Sequence, residues 1–293
     1  MDLDGDGVPE LAVGAPSRRD GGGTETGAVY VLNGFDLVKG GQLSTVGTTL
    51  EGSGGDFGRA LAAGDVLGVG PKSLVVGEPQ YTNSSGDETG AVHVYNDALS
   101  LEMTLEGLAD GDEAGASVAV LDFDGDGVED LVVGAPGVDD KATDIDIGTV
   151  YLSYGPLACS AAPCDLDGAD AYLIGKATED ALGTALARAG WVDDSEGESL
   201  LVGAPGVDTT SAGDEGLVWL IRGQAARLSG EIDEDEDAQP AYLHIEGRTT
   251  DARLGSVLRG IDDYNGDGLD DFVIVTGRSA KDNEAYLWLG GTP

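Results

Sequence analysis

The chain has 293 residues, among them 15 basic and 55 acidic side chains, giving a formal charge of −40 and a sequence pI near 4.1. A field of that sign repels phosphate backbones and anionic lipid, so nucleic acid is excluded as a partner, and no apolar run is long enough to insert directly into a membrane. Aspartate outnumbers glutamate 37 to 18 and glycine reaches 49, a turn and metal bias rather than a helical one, while 41% hydrophobic residues suffice for one large all-β domain.

In chain order, the first unit opens on the aspartate-dense loop and strand DLDGDGVPELAVGAP (2–16), followed by strands at GAVYVLNG (27–34) and TTLEG (48–52). The second adds a leading small-residue strand, DFGRALAAG (56–64), then DVLGVGPKSLVVGEP (65–79), GAVHVYN (90–96) and MTLEG (103–107). The third repeats the order with EAGASVAVLD (113–122), DFDGDGVEDLVVGAP (122–136), GTVYLSYG (148–155) and AYLIG (171–175). The fourth has ALGTALARAG (181–190), WVDDSEGESLLVGAP (191–205), GLVWLIRG (216–223) and LHIEG (243–247). The fifth has RLGSVLRGID (253–262), DYNGDGLDDFVIVTG (263–277) and EAYLWLGG (284–291).

The strand after each loop starts at residues 10, 73, 130, 199 and 271, at intervals of 63, 57, 69 and 72 residues, too long for a solenoid coil and suited to a four-stranded blade. No segment has helical apolar spacing. Evenly spaced β units with a recurring glycine and aromatic signature predict an all-β propeller of about five blades of four antiparallel strands, one domain with blades near 1–52, 53–107, 108–175, 176–247 and 248–293. The count is eighteen strands because the first unit lacks its opening strand and the fifth its closing one. That leaves two readings, a closed propeller with a thin join or a fragment of a larger one.

Carboxylates crowded at alternate positions repel one another unless a cation lies among them. In 122–130, Asp122, Asp124 and Asp126 hold positions 1, 3 and 5 of a loop, Gly127 turns it at 6, the Val128 carbonyl follows at 7 and Asp130 at 9. That oxygen set suits calcium. Position 12 is Val133 and the flank is a strand, so an EF-hand is rejected in favour of a calcium loop inside a β-hairpin. The first loop offers Asp2, Asp4, Asp6, the Val8 carbonyl and Glu10, and the last Asp263, Asn265, Asp267, the Leu269 carbonyl and Asp271. The second loop keeps only Asp65, with Leu67, Val69 and Ser73 at the other positions, and the fourth keeps Asp193 and Ser195 beside Trp191 and Ser199. About three calcium ions are expected, at loops one, three and five.

The ordered set of Phe/Leu-Gly, then D-x-D-G-D-G-x-x-D-L-V-V-G-A-P, then G-x-V-Y resembles the FG-GAP repeat of the integrin α-subunit β-propeller and its bacterial relatives, over essentially the whole chain. Phe-Gly itself survives only at Phe57-Gly58, and Val275-Thr276-Gly277 stands where Gly-Ala-Pro is expected in the last unit. The resemblance implies calcium on one face and ligand on the other.

Topology gives the same division, because calcium loops join strands 1 and 2 of a blade. The 2→3 loops at 17–26, 80–89, 137–147 and 206–215 then lie opposite, with the 4→1 turns, where a protein or glycan ligand is expected. Cys159 and Cys164 flank SAAP between the third and fourth strands of blade three, a spacing that a small disulfide satisfies and that suits an oxidising compartment. The two histidines, His93 and His244, read as strand residues, and no nucleophile elbow or phosphate loop is present. The expectation is a non-enzymatic, extracellular or cell-surface, calcium-binding propeller for adhesion or recognition, with no export signal in this chain. The alternative is a lectin-like or substrate-docking propeller attached to a secreted enzyme.

Overall fold

The computed structural model describes residues 2–3, 5–34, 47–139, 145–159, 164–209, 213–232, 242–277 and 284–291. Their elements are twenty strands and one 3-10 turn at Leu166–Gly168. Blade one holds β1 (Leu11–Gly14), β2 (Ala28–Leu32) and β3 (Thr48–Glu51). Blade two holds β4 (Ala60–Gly64), β5 (Ser73–Glu78), β6 (Ala91–Tyr95) and β7 (Leu101–Glu106), and blade three β8 (Ser117–Leu121), β9 (Asp130–Ala135), β10 (Thr149–Ser153) and β12 (Ala171–Ile174). Blade four holds β13 (Ala185–Gly190), β14 (Gly197–Ala204), β15 (Leu217–Gly223) and β17 (Tyr242–Glu246), and blade five β18 (Leu254–Gly260), β19 (Phe272–Thr276) and β20 (Ala285–Trp288). Within each blade consecutive strands pair antiparallel, for example Val150 opposite Gly134 and Leu173.

The apolar surface is buried between blades rather than at one centre. Val29, Val31, Phe57, Leu74 and Val76 fill the wedge between blades one and two. Val92, Val94, Val120, Leu131 and Tyr151 fill the next, and the two following wedges are packed in the same way around Val150 and Val202, then Leu201 and Phe272. Because both faces of a middle strand are covered, SLVVGE, AVHVY and DLVVGA are buried throughout. The small-residue first strands of blades two to five face one another, and Leu61–Ala63, Val118–Val120, Leu186–Gly190 and Leu258–Gly260 line a common cavity.

The repeated glycines are explained at the seams between blades. Gly115 has φ +86° and lies against Gly77 of the preceding blade, where a Cβ on Gly77 would meet the Gly115 carbonyl oxygen at 2.0 Å. Gly183 on Gly134 and Gly255 on Gly203 repeat the contact. The Leu/Ala-Gly and Gly-Ala-Pro motifs are therefore two halves of one backbone-to-backbone contact, which any side chain would wedge open.

Two short strands depart from the eighteen expected. β11 (Cys164–Asp165) leaves blade three to pair in parallel with β7 of blade two, and β16 (Gly230–Glu231) leaves blade four to pair with β12 of blade three. Each covers an outer edge that would otherwise present unpaired amides. The Cys159–Cys164 disulfide is formed and closes the loop that delivers β11.

Candidate metal centre

Each loop is a turn in which its own carboxylates take the backbone amides. The position-1 aspartate accepts the amide of the position-6 glycine: Asp122 from Gly127 at 3.0 Å, Asp2 from Gly7 at 3.0 Å, Asp263 from Gly268 at 2.9 Å, and Asp65 of the degenerate second loop from Gly70 at 2.8 Å. The position-9 carboxylate accepts the position-2 amide: Asp130 from Phe123 at 2.9 Å, Glu10 from Leu3 at 2.6 Å and Asp271 from Tyr264 at 3.0 Å. Asp130 and Asp271 also accept Gly155 and Gly290 amides from the end of strand 3, at 2.9 and 2.7 Å. Asp6, Asp126 and Asp267 each take the amide two residues on, at Val8, Val128 and Leu269. The backbone amide of Asp267 donates to the side-chain Oδ1 of Asn265 at 2.8 Å. Asp4 lies outside the described residues.

Among the described residues, one group of three carboxylates is gathered closely enough to share an ion: oxygens of Asp122, Asp124 and Asp130 all lie within 4.8 Å of one another. Asp130 is fully buried and Asp124 nearly so. Burial, together with the charges of Asp124 and Asp122, pushes the Asp130 carboxyl up to about 7 despite its amide bonds, and burial raises Asp122 as well. The buried oxygens Asp122 Oδ1 and Asp2 Oδ1 take no hydrogen bond among the described residues. A desolvated, mutually repelling oxygen cluster with an unused acceptor fits a hard divalent cation. The fourth carboxylate of this loop, Asp126, is outside the group.

In the loops lacking a full acidic set, other contacts serve. The fourth loop pairs Asp193 with Arg222 at 2.8 Å, and Ser73 and Ser199 occupy the buried position 9 of loops two and four.

A second carboxylate, at position 8, was not legible as functional from spacing. Glu198 of loop four accepts the Asp122 amide of loop three at 3.0 Å, and Asp270 of loop five accepts the Trp191 amide of loop four at 2.8 Å. Glu129 of loop three accepts the Asp65 amide of loop two and pairs with Lys72. Every loop from the third on thus hooks the one before it. The recurring acid just before the strand was its only sequence signal.

On the opposite face the 2→3 loops meet the 4→1 turns, as in the bonds Gln80 N to Gly55 O, Gly137 N to Asp112 O and Gly206 N to Asp180 O. His93 is buried in β6, with Nε2 2.7 Å from Glu78, which in turn holds Ser53 of the turn between blades one and two. His244 packs edge-on against Trp219.

The FG-GAP repeat profile matches residues 2–32 and 114–153. The chain is 30% identical over 314 aligned residues to bovine (Bos taurus) phosphatidylinositol-glycan-specific phospholipase D, covering 98% of this chain and 35% of that protein. It is 29% identical to integrin alpha-5 of Xenopus laevis over 70% of this chain and 19% of that protein, and 28% identical to human (Homo sapiens) integrin alpha-IIb over 75% and 20%. The chain therefore spans from about a fifth to about a third of the length of these relatives.

Proposed function

Since this chain belongs to the FG-GAP repeat β-propellers, homologous to domains of integrin α subunits and of phosphatidylinositol-glycan-specific phospholipase D, we propose that it is a non-enzymatic, calcium-stabilised recognition module. Calcium would sit in loops one, three and five, held by Asp2, Asp4, Asp6, the Val8 carbonyl and Glu10, by the Asp122 to Asp130 set, and by the Asp263 to Asp271 set. The observation that carries this reading is the cluster of half-buried Asp122 with buried Asp124 and Asp130, whose repulsion a divalent ion would relieve. The ion would supply charge neutralisation and hold the first hairpin of each blade, with no chemical step assigned to it. The opposite face, built from loops on a rigid scaffold, is where a protein or glycan would be recognised in adhesion. The formed disulfide supports an extracellular or cell-surface site of action. Among the described residues no helix is long and apolar enough to cross a membrane.

A second reading has its own support. Similarity to a phospholipase D extends over 98% of this chain while covering 35% of that enzyme, which suits a substrate-docking propeller carried beside a catalytic region. Binding of the purified chain to a glycan array and to immobilised extracellular matrix proteins, in calcium and in chelator, tests both. Calcium-dependent binding to matrix protein supports the adhesion reading, glycan binding alone the docking one, and no calcium uptake sinks the calcium role in either.

A further inference from the structure

The third loop contains a cation of its own. Arg227, from the 3→4 connection of blade four, places Nε 2.5 Å from Asp124 Oδ2 and Nη2 2.8 Å from Asp126 Oδ2, with Nη2 also 3.4 Å from the Gly155 carbonyl oxygen. Its guanidinium lies 4.8 Å from the centre of the Tyr154 ring, and the next amide, Leu228, donates to the Tyr154 hydroxyl at 2.8 Å. Both oxygens of Asp126 are thereby engaged, Oδ2 by Arg227 and Oδ1 by the Val128 amide. Asp124 is engaged in the same manner, Oδ2 by Arg227 and Oδ1 by the Asp126 amide at 3.1 Å. The fifth loop differs, for there Asp267 Oδ2 is held by the Asn265 amide group at 2.9 Å, with both partners from the same loop.

Resting on the calcium reading above, we infer that Arg227 is a built-in competitor for calcium at the third loop, and that calcium entry expels it. A divalent ion needs Asp126 to turn inward, and a guanidinium within a few ångströms of that ion is repelled by it. In this way the third loop binds calcium more weakly than it would without the arginine. The displacement reaches further, because Arg227 anchors the segment that crosses from blade four to blade three. Gln224 N bonds Phe123 O at 2.9 Å, and Gly230 N and Ile232 N bond Asp170 O and Tyr172 O at 2.8 Å each, clasping the outer strand β12. Calcium at the third loop therefore loosens this clasp while stiffening the hairpin beneath it.

The test is calcium titration calorimetry on the full chain with Asp6→Asn and Asp267→Asn silencing loops one and five, with and without Arg227→Gln. The expected result is about tenfold tighter binding in Arg227→Gln, the effect of removing one nearby positive charge, with Arg227→Lys close to the parent. Equal or weaker binding in Arg227→Gln would overturn the proposal and make the arginine a positioning group. Amide hydrogen exchange on the unaltered chain is an independent measure, in which calcium should speed exchange at Gly230 and Ile232. Unchanged or slower exchange there, with calcium bound, would refute expulsion. If no loop takes up calcium, the calcium reading itself fails and this inference falls with it, an outcome distinct from calcium binding that is indifferent to Arg227.

Discussion

Loops three and four both join the first two strands of a blade but differ in path and in ligand set. Gly125 and Gly127 of loop three have φ +71° and +89°, whereas Asp194 and Glu196 at the same positions of loop four are not left-handed, although each loop pairs its position-3 aspartate with an arginine. In loop three, position 9 is the buried Asp130 with its carboxyl pushed up to about 7, and position 1 is Asp122 with an unpartnered buried oxygen. In loop four those positions are Ser199 and Trp191, and the one remaining ligand-type carboxylate, Asp193, is paired with Arg222. Yet the strand that follows is buried in both, and both are hooked by a position-8 carboxylate from the next blade. The buried strand and the hook between blades are thus kept without the full acidic set. The acidic set of loop three burdens the metal-free fold, and on the proposed reading its use lies in the cation it would hold.

The largest test of that contrast is removal of calcium. Binding to the folded state alone stabilises by about 2.7 kcal/mol per site at a hundredfold excess over Kd. Thermal unfolding in chelator should therefore show a markedly lower Tm than in calcium, and magnesium should restore little, since its small octahedral shell suits such a loop badly. Identical melting in the two conditions would make the loops ordinary Asp/Gly turns.

Paired substitutions sharpen it. Asp130→Ala should abolish calcium binding at loop three and also free the Phe123 and Gly155 amides, at a combined loss on the order of 3 kcal/mol, whereas Ser199→Ala should leave the calcium stoichiometry unchanged. Calorimetric stoichiometry with equilibrium denaturation reads both. Loss of a site in Ser199→Ala would show that loop four binds metal as well.

The hook is expected to matter in both loops regardless of metal. Glu198→Ala removes the acceptor for the Asp122 amide and the partner of Arg188, and should cost about 1–3 kcal/mol in chelator as well as in calcium. A cost that vanished in chelator would tie the hook to the ion instead.

The pH dependence separates the loops without mutation. A carboxyl raised on folding is protonated more readily in the folded than in the unfolded chain, so between about 4 and about 7 the folded metal-free state binds more protons. Stability in chelator should fall as pH rises through that window because of Asp130, and Asp130→Asn should flatten the profile. A metal-free Tm that rises across this range would contradict the burial of that group.

The smallest effect is expected at the disulfide. Reducing Cys159–Cys164 opens a loop of only a few residues, a change of about 2 kcal/mol or less, felt chiefly where Cys164 pairs with Leu105. Denaturing thiol labelling without reductant should find no free thiol, and recovery of both would refute the bridge in solution.

What the sequence determined by itself is everything local and periodic. The strands and the aspartate loops are read from residues within about fifteen positions of one another, where alternation and turn chemistry act directly, and the unit length and the division into two faces from the recurrence of those segments in fixed order every 57 to 72 residues. Only the tertiary structure decided how units meet. The partner of Gly77 is Gly115, the acceptor for the Asp122 amide is Glu198, the outer edges are covered by β11 and β16, and the cation on Asp124 is Arg227, 103 residues away. Such contacts leave weak marks in one sequence, because a glycine, an acid or an arginine is compatible with many local settings. Its role is fixed by the backbone that packing brings against it.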